Sequence, residues 1–113
     1  MRYEIRRRGD GGKAIFDENG NRISEWFDEI WEDGLVKGES KYYIAEKDGK
    51  EAVFDISGRM ISPEWFDYVN SFLGLVAGQS KYCIARENKN MKYIIFDENG
   101  RIITPDWFDE IKE

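Results

Sequence analysis

The sequence contains no histidine, one cysteine and two prolines. Histidine is the commonest general base and a frequent metal ligand, so its absence removes the usual acid–base and metal chemistry. The single cysteine, Cys83, cannot form a disulfide within the chain, and without histidine it cannot form a Cys–His nucleophile. We therefore expect a protein that is not an enzyme, holds no cofactor and no metal, and resides in the cytoplasm.

Several other features that would point to a function are missing. No apolar run follows a basic N-terminal start, and the apolar runs are far shorter than a membrane span. No glycine loop of the phosphate-binding type occurs. The net charge is −6, whereas binding to a phosphate backbone needs clustered lysines and arginines. Neither nucleic acid nor a membrane is expected as a partner.

The sequence does contain an internal repeat that covers nearly all of its 113 residues. Corresponding tyrosines, Tyr3, Tyr42 and Tyr82, are 39 and 40 residues apart. A fixed period of this size is typical of repeat architectures, in which each unit buries its apolar face against a neighbour. The pattern predicts one domain, 1–113, built from three repeats at 2–40, 41–80 and 81–113.

Each repeat begins with two strands and a tight turn. Tyr42 and Ile44 lie two residues apart and share one face of the first strand, and the position between them varies among the copies. A hairpin turn such as Asp48-Gly49 leads to a second strand that is apolar at consecutive positions. An Asp-x-x-Gly turn follows, in which glycine supplies a positive φ.

The remainder of each repeat is predicted from shorter signals. A short third strand is centred on Ile23, Ile61 and Ile103. Ser62-Pro63 is typical of a helix start and predicts one short helical turn. The segments 34–40 and 74–80 share the pattern Gly-Leu-Val and predict a fourth strand, which the third repeat lacks.

These elements predict an all-β fold of three antiparallel β-meander repeats, blade-like and pseudo-threefold, with the third repeat truncated. The count is about eleven strands. A β-trefoil, which also has three repeats of four strands, is the alternative architecture.

The repeats resemble the WG repeats of bacterial proteins, a family of poorly characterised function. The matching stretches are Val53-Phe54-Asp55-Ile56-Ser57-Gly58, Met60-Ile61-Ser62-Pro63, Trp65-Phe66-Asp67 and Gly74-Leu75-Val76. The resemblance implies a β scaffold built from repeats and brings no catalytic residues.

Two kinds of aromatic position are candidates for binding. The Trp-Phe-Asp triplets occur in every copy, which favours packing between repeats, with Asp28 and Asp67 bonding to local backbone. If one triplet tryptophan were exposed, it would be a stacking platform for carbohydrate, the alternative function. The aromatic residues that are not repeated are the better candidates for a binding surface, together with the basic cluster Arg6-Arg7-Arg8. These residues are Arg6, Arg7, Arg8, Trp31, Tyr43, Tyr68, Phe72 and Tyr93.

The leading hypothesis is a non-enzymatic interaction module that binds a protein or peptide partner. This hypothesis follows from a repeat scaffold in which no catalytic motif is recognised. The partner would bind at the non-repeated aromatic surface or at a strand edge left by the missing final strand. The same edge would allow homo-oligomers to form.

Overall fold

A computed structural model describes residues 1–89 and 91–103, and all of its regular structure in that part is β. The strands are β1 (Tyr3–Arg7), β2 (Lys13–Asp17), β3 (Glu29–Ile30), β4 (Tyr42–Lys47), β5 (Lys50–Asp55), β6 (Tyr68–Val69), β7 (Tyr82–Glu87) and β8 (Lys92–Asp97). They form three antiparallel sheets in the orders β1-β2, β3-β4-β5 and β6-β7-β8. The predicted all-β class and the three antiparallel repeats are confirmed.

The hairpin of each repeat forms where sequence alternation predicts it. In the second repeat Tyr43 pairs with Phe54 and Lys47 pairs with Lys50, which leaves a two-residue turn. Asp48 and Gly49 there have φ of 53° and 80°, and the right-handed twist of the strands favours such a turn.

The Asp-x-x-Gly turns also form as predicted. Asp55 Oδ1 accepts hydrogen bonds from the backbone N–H groups of Ser57 and Arg59, at 2.9 and 3.2 Å. Asp17 and Asp97 make the equivalent pairs of bonds in the other two repeats.

The short strand after each of the first two Trp-Phe-Asp triplets belongs to the sheet of the following repeat. β3 pairs with β4 through Ile30 and Ala45, and β6 pairs with β7 through Val69 and Ala85. Each sheet of three strands therefore contains residues from two successive repeats, and this pairing links the repeats into a row.

Two hydrophobic cores lie between successive repeats. The first core contains Ile15, Phe27, Ile30 and Leu35 from the first repeat with Tyr43, Ala45, Ala52 and Phe54 from the second. The second core contains Tyr42, Ile44, Val53, Ile61, Phe66, Val69, Leu75 and Val76 from the second repeat with Cys83, Ala85, Ile94 and Phe96 from the third. All eight residues of the first core have a counterpart in the second. The four further residues of the second core correspond to Tyr3, Ile5, Ile23 and Val36, which pack half-buried against the first core, so the same packing is repeated once along the stack.

The two faces of each hairpin therefore pack on different neighbours. The Tyr-x-Ile face, represented by Tyr42 and Ile44, packs on the following repeat, and we call it the forward face. The opposite face, represented by Tyr43 and Ala45, packs on the preceding repeat, and we call it the rear face. Neither core joins the first hairpin to the third, so the described residues form an open stack and not a closed β-trefoil.

Three predictions of local structure are wrong. The segment 34–40 is a turn, because Gly34 and Gly38 have φ of 88° and 81° and Glu39 N–H donates back to the Gly34 carbonyl at 2.8 Å. The short third strand is a single bridge per repeat, at Arg22, Met60 and Ile102. The expected helical turn is absent from the described residues, where the Ser62 hydroxyl instead accepts a hydrogen bond from Val53 N–H at 3.1 Å.

No helix in the described part of the chain has the length and apolar character needed to cross a bilayer.

Candidate interaction surface at the third repeat

The forward face of the third repeat has no following repeat packed on it among the described residues. Tyr82 is 49% exposed, whereas its counterpart Tyr42 is 7% exposed. Ile103 is 45% exposed, whereas its counterpart Ile61 is 4% exposed. The same side chains that form a core in the second repeat are therefore left open to solvent in the third.

This open face surrounds a shallow apolar hollow of about 300 Å³. Its lining comprises Leu73, Gly74, Ser80, Tyr82, Ile84, Ile95 and Ile103. The hollow lies where the next hairpin would sit if the stack continued. We call the surface formed by these seven residues the open forward face.

A serine at the edge of this face lacks the cross-repeat bond of its counterpart. The Ser40 hydroxyl donates to the carbonyl of Val76 in the next turn at 2.6 Å. The Ser80 hydroxyl has only local partners in the described chain, the carbonyl and N–H of Tyr82 at 3.3 and 3.2 Å. The equivalent acceptor for Ser80 would be the corresponding turn of the third repeat, which the described residues do not include.

The rear face of the first repeat is, by contrast, covered by charged side chains. Glu4 and Arg6 occupy the positions of Tyr43 and Ala45 and form an ion pair at 2.5 Å. The Arg6 guanidinium lies 4.6 Å from the centre of the Phe16 ring. Arginine stacked on an aromatic ring covers the apolar surface and keeps the charge in water.

Trp26 on the same rear face is also covered by arginine. Arg8 lies 4.8 Å and Arg22 lies 5.5 Å from the centre of its ring, and Arg8 is paired with Asp10 at 2.7 Å. Together these residues form a polar cap on the first repeat, as the ends of repeat proteins need for solubility. We call Glu4, Arg6, Arg8 and Arg22 the polar cap.

Trp65 packs between repeats as predicted, whereas Trp26 contacts Phe16 and two arginines of its own repeat. The predicted bonding of the triplet aspartates to local backbone is wrong, because both described aspartates bond to the hairpin of the next repeat. Trp65 contacts two of the three aromatic rings of the first core, at 6.3 Å from Phe27 and 5.8 Å from Phe54 between ring centres. Asp28 accepts a hydrogen bond from Asp48 N–H at 2.9 Å, and Asp67 accepts one from Asn88 N–H at 2.7 Å. The third triplet lies outside the described residues.

The carbohydrate alternative requires an open tryptophan face. Trp26 and Trp65 are both half-buried, and their rings contact arginines or phenylalanines of the chain itself. A sugar would have to displace these side chains, and no observation favours that alternative.

The structure separates the candidate surface residues into distinct places. Arg6, Arg7 and Arg8 are exposed at the first repeat, and Phe72 is 62% exposed directly before Leu73 of the open forward face. Trp31 is half-buried against the second core. The expectation that Tyr43 lies on the surface is wrong, because it sits on the rear face of β4 and is 0% exposed.

Tyr68 and Tyr93 are brought together by Arg86. The Arg86 guanidinium lies 5.1 Å from the Tyr68 ring centre and 5.8 Å from that of Tyr93, and it donates to the Tyr93 hydroxyl at 3.4 Å. This arrangement holds two half-buried tyrosines in the third sheet, Tyr68 on β6 and Tyr93 on β8, away from Arg6, Arg7 and Arg8 of the first repeat.

The expected strand edge also lies elsewhere. The segment 34–40, predicted to form a fourth strand, is a turn. The lack of this segment in the third repeat therefore leaves no strand edge unpaired. β1 is an unpaired edge in the described chain, because β4 and β7 each pair with a strand of the preceding repeat and β1 does not. Arg6 and Arg7 lie on this edge, at the positions that Ala45 and Glu46 occupy in the second repeat.

Residue-by-residue analysis of the sequence missed Tyr82, Ile84 and Ile103. These residues occupy repeated positions, which the sequence analysis assigned to folding. The direction of stacking would have identified them: the forward faces of the first and second repeats pack on the following repeat, whereas the third forward face has no such neighbour in the described chain.

The chain matches no family model, and no curated protein or solved structure matches it. The resemblance to WG repeats therefore stays a prediction.

Proposed function

We propose that this chain is a non-enzymatic interaction module, built from stacked WG-like repeats, that binds a protein partner through the open forward face. The difference between its two ends carries the proposal. The rear face of the first repeat has a polar cap, whereas Tyr82 and Ile103 at the other end are about half exposed. An apolar patch of this kind on a soluble surface is typical of a binding site.

Charge and compartment fit the same proposal. A net charge of −6 is unfavourable for binding nucleic acid, whereas an apolar face suits a protein surface. The only thiol, Cys83, is buried in the second core, and a cytoplasmic location forms part of the proposal.

Site-specific photo-crosslinking tests the proposal. A photoreactive phenylalanine analogue placed at position 82 is expected to crosslink one defined protein in cells of the source. The same analogue at position 18, an exposed turn residue of the first repeat, is the matched control.

The crosslinked protein is then purified and titrated with the wild-type chain and with Tyr82→Glu. Loss of at least about tenfold in affinity in the variant is expected, since truncating or charging a central apolar contact has effects of that size. Equal crosslinking at both positions, or unchanged affinity, would contradict the proposal.

A further inference from the structure

Resting on the proposed function, we infer that the partner is a repeat of the same stacking kind carried by another polypeptide. Its rear face would seat on the open forward face and extend the stack by one unit. The two cores inside this chain define the chemistry of that occupant, because each shows a complete forward face with a rear face packed on it.

The first requirement on the occupant concerns its hairpin. Both buried rear faces have alanine in the first strand, at Ala45 and Ala85, and phenylalanine at the end of the second, at Phe54 and Phe96. All four side chains are at most 4% exposed. A partner hairpin therefore needs a small residue in its first strand and an aromatic residue at the end of its second.

The second requirement concerns the turns of the occupant. A Cβ atom added to Gly100 would overlap the carbonyl oxygen of Ile61 in the preceding repeat, and one added to Gly78 would overlap that of Glu39. At these two points the turns are stacked with no room for a side chain, whereas a Cβ atom at Gly58, the equivalent of Gly100, would meet the Ile23 carbonyl oxygen at an ordinary 3.4 Å. A glycine in the Asp-x-x-Gly turn of a partner would fit against the carbonyl of Ile103 as Gly100 fits against that of Ile61.

The polar cap excludes the first repeat of a second copy from this role. Stacking two copies head to tail would bury the Glu4–Arg6 ion pair where both internal cores have uncharged side chains. Removing paired charges from water costs several kcal/mol per ion before their attraction is counted. The cap thus opposes head-to-tail stacking of two copies of the chain.

The same argument supplies a probe that can be made from the chain itself. Glu4→Tyr with Arg6→Ala gives the first repeat the rear-face residues Tyr43 and Ala45 of the second. A third change, Tyr82→Glu, blocks the open forward face of the probe so that it cannot polymerise. The probe is mixed with the wild-type chain, and the mass of the species is measured by sedimentation velocity.

A one-to-one complex of probe and wild type is expected, and Tyr82→Glu in the otherwise wild-type chain should weaken it at least about tenfold. The variant carrying only Glu4→Tyr and Arg6→Ala should form longer head-to-tail oligomers. Hydrogen exchange and thermal melting establish that each variant folds. If the probe is unfolded, Glu4→Cys with Arg6→Ala, which copies Cys83 and Ala85, replaces it.

Two outcomes would overturn the inference. Folded probe and wild type that stay monomeric when mixed would show that a repeat of this kind does not fit the face. Wild-type dimers that Tyr82→Glu dissociates would show that the occupant is a second copy. Crosslinking at position 82 to a protein without such repeats would leave the proposed function intact while refuting this partner, so the two failures are distinguishable.

Discussion

Tyr43 places a phenolic hydroxyl inside the first core, where no hydrogen-bond partner meets it in the described structure. Its ring stacks on Phe54 at 5.8 Å between centres, so the aromatic body is well packed while the hydroxyl is not satisfied. Burial raises the pKa of the Tyr43 phenol well above its ordinary value, because the phenolate would lose its solvation.

Tyr43→Phe is expected to raise the free energy of unfolding by about 1 kcal/mol, since it removes a buried, unpaired polar group and keeps the ring. Urea denaturation followed by tryptophan fluorescence measures the change. Tyr82→Phe, at a position half exposed to solvent, is the control and should be nearly neutral. A loss of stability in Tyr43→Phe would mean that its hydroxyl has a partner.

Glu51 is a second residue whose environment opposes its charge. Partial burial raises the pKa of its carboxyl, and Glu46 and Asp67 act in the same direction. A hydrogen bond that it accepts from Val69 N–H at 2.9 Å, and the charge of Arg86, act against this rise. Because the folded state holds the proton more tightly than the unfolded state, ionisation of Glu51 lowers stability.

Glu51→Gln should therefore be more stable than the wild type at neutral pH, since the amide oxygen can still accept the bond from Val69. The advantage should be absent below the ordinary pKa of a glutamate carboxyl, 4.5, which applies to the unfolded chain, and should grow as pH rises through the folded pKa. Urea denaturation across this pH range, with Glu18→Gln at an exposed position as control, measures it. An advantage independent of pH would contradict this explanation.

At the scale of elements, the stacked turns are the tightest points of the structure. The turns at 34–39 and 74–79 have the same hydrogen bonds, and Glu39 and Gln79 each accept one from the first glycine of their own turn. They differ in their neighbours: a Cβ added at Gly38 meets nothing within 4 Å, whereas one at Gly78 overlaps the Glu39 backbone.

Gly38→Ala and Gly78→Ala are therefore a matched pair. Gly38 and Gly78 have φ of 81° and 77°, so an alanine at either position must adopt a left-handed backbone conformation, which lowers stability by roughly 1–2 kcal/mol. Gly78→Ala should lose at least twice as much, because the two turns must also move apart. Thermal denaturation of both variants measures the difference, and equal losses would show that the turns do not pack as closely as described.

At the scale of the whole molecule, the polar cap and the open forward face make the stack directional. Position 6 and position 85 are equivalent in the repeat, yet Arg6 is exposed and Ala85 is fully buried in the second core. An arginine is therefore expected to be tolerated at position 6 and to destabilise the fold at position 85.

Ala85→Arg should lower the free energy of unfolding by at least about 3 kcal/mol, because it buries a charge and overfills the core. Arg6→Ala should change it by less than about 1 kcal/mol, since an exposed ion pair and one ring contact are lost. Urea denaturation of the two variants checks this contrast. Similar losses at both sites would contradict the assignment of position 6 to a solvent-facing cap.

The sequence by itself determined what depends on neighbours along the chain. Alternating Tyr42 and Ile44 specified a strand, Asp48-Gly49 a hairpin, and Asp55 with Gly58 a tight turn, because these choices follow from local backbone preferences. The same reasoning failed for the segment 34–40, where Leu35 and Val36 favour a strand but the flanking glycines adopt positive φ and close a turn.

Only the tertiary structure decided which face of each hairpin packs forward and which packs to the rear. That choice depends on contacts between repeats some 40 residues apart, which no local preference encodes. It buried Tyr43, exposed Tyr82, and placed arginines over Phe16 and Trp26. The candidate site is thus a repeated core position that lacks its neighbour, and stacking rather than residue type makes it a surface.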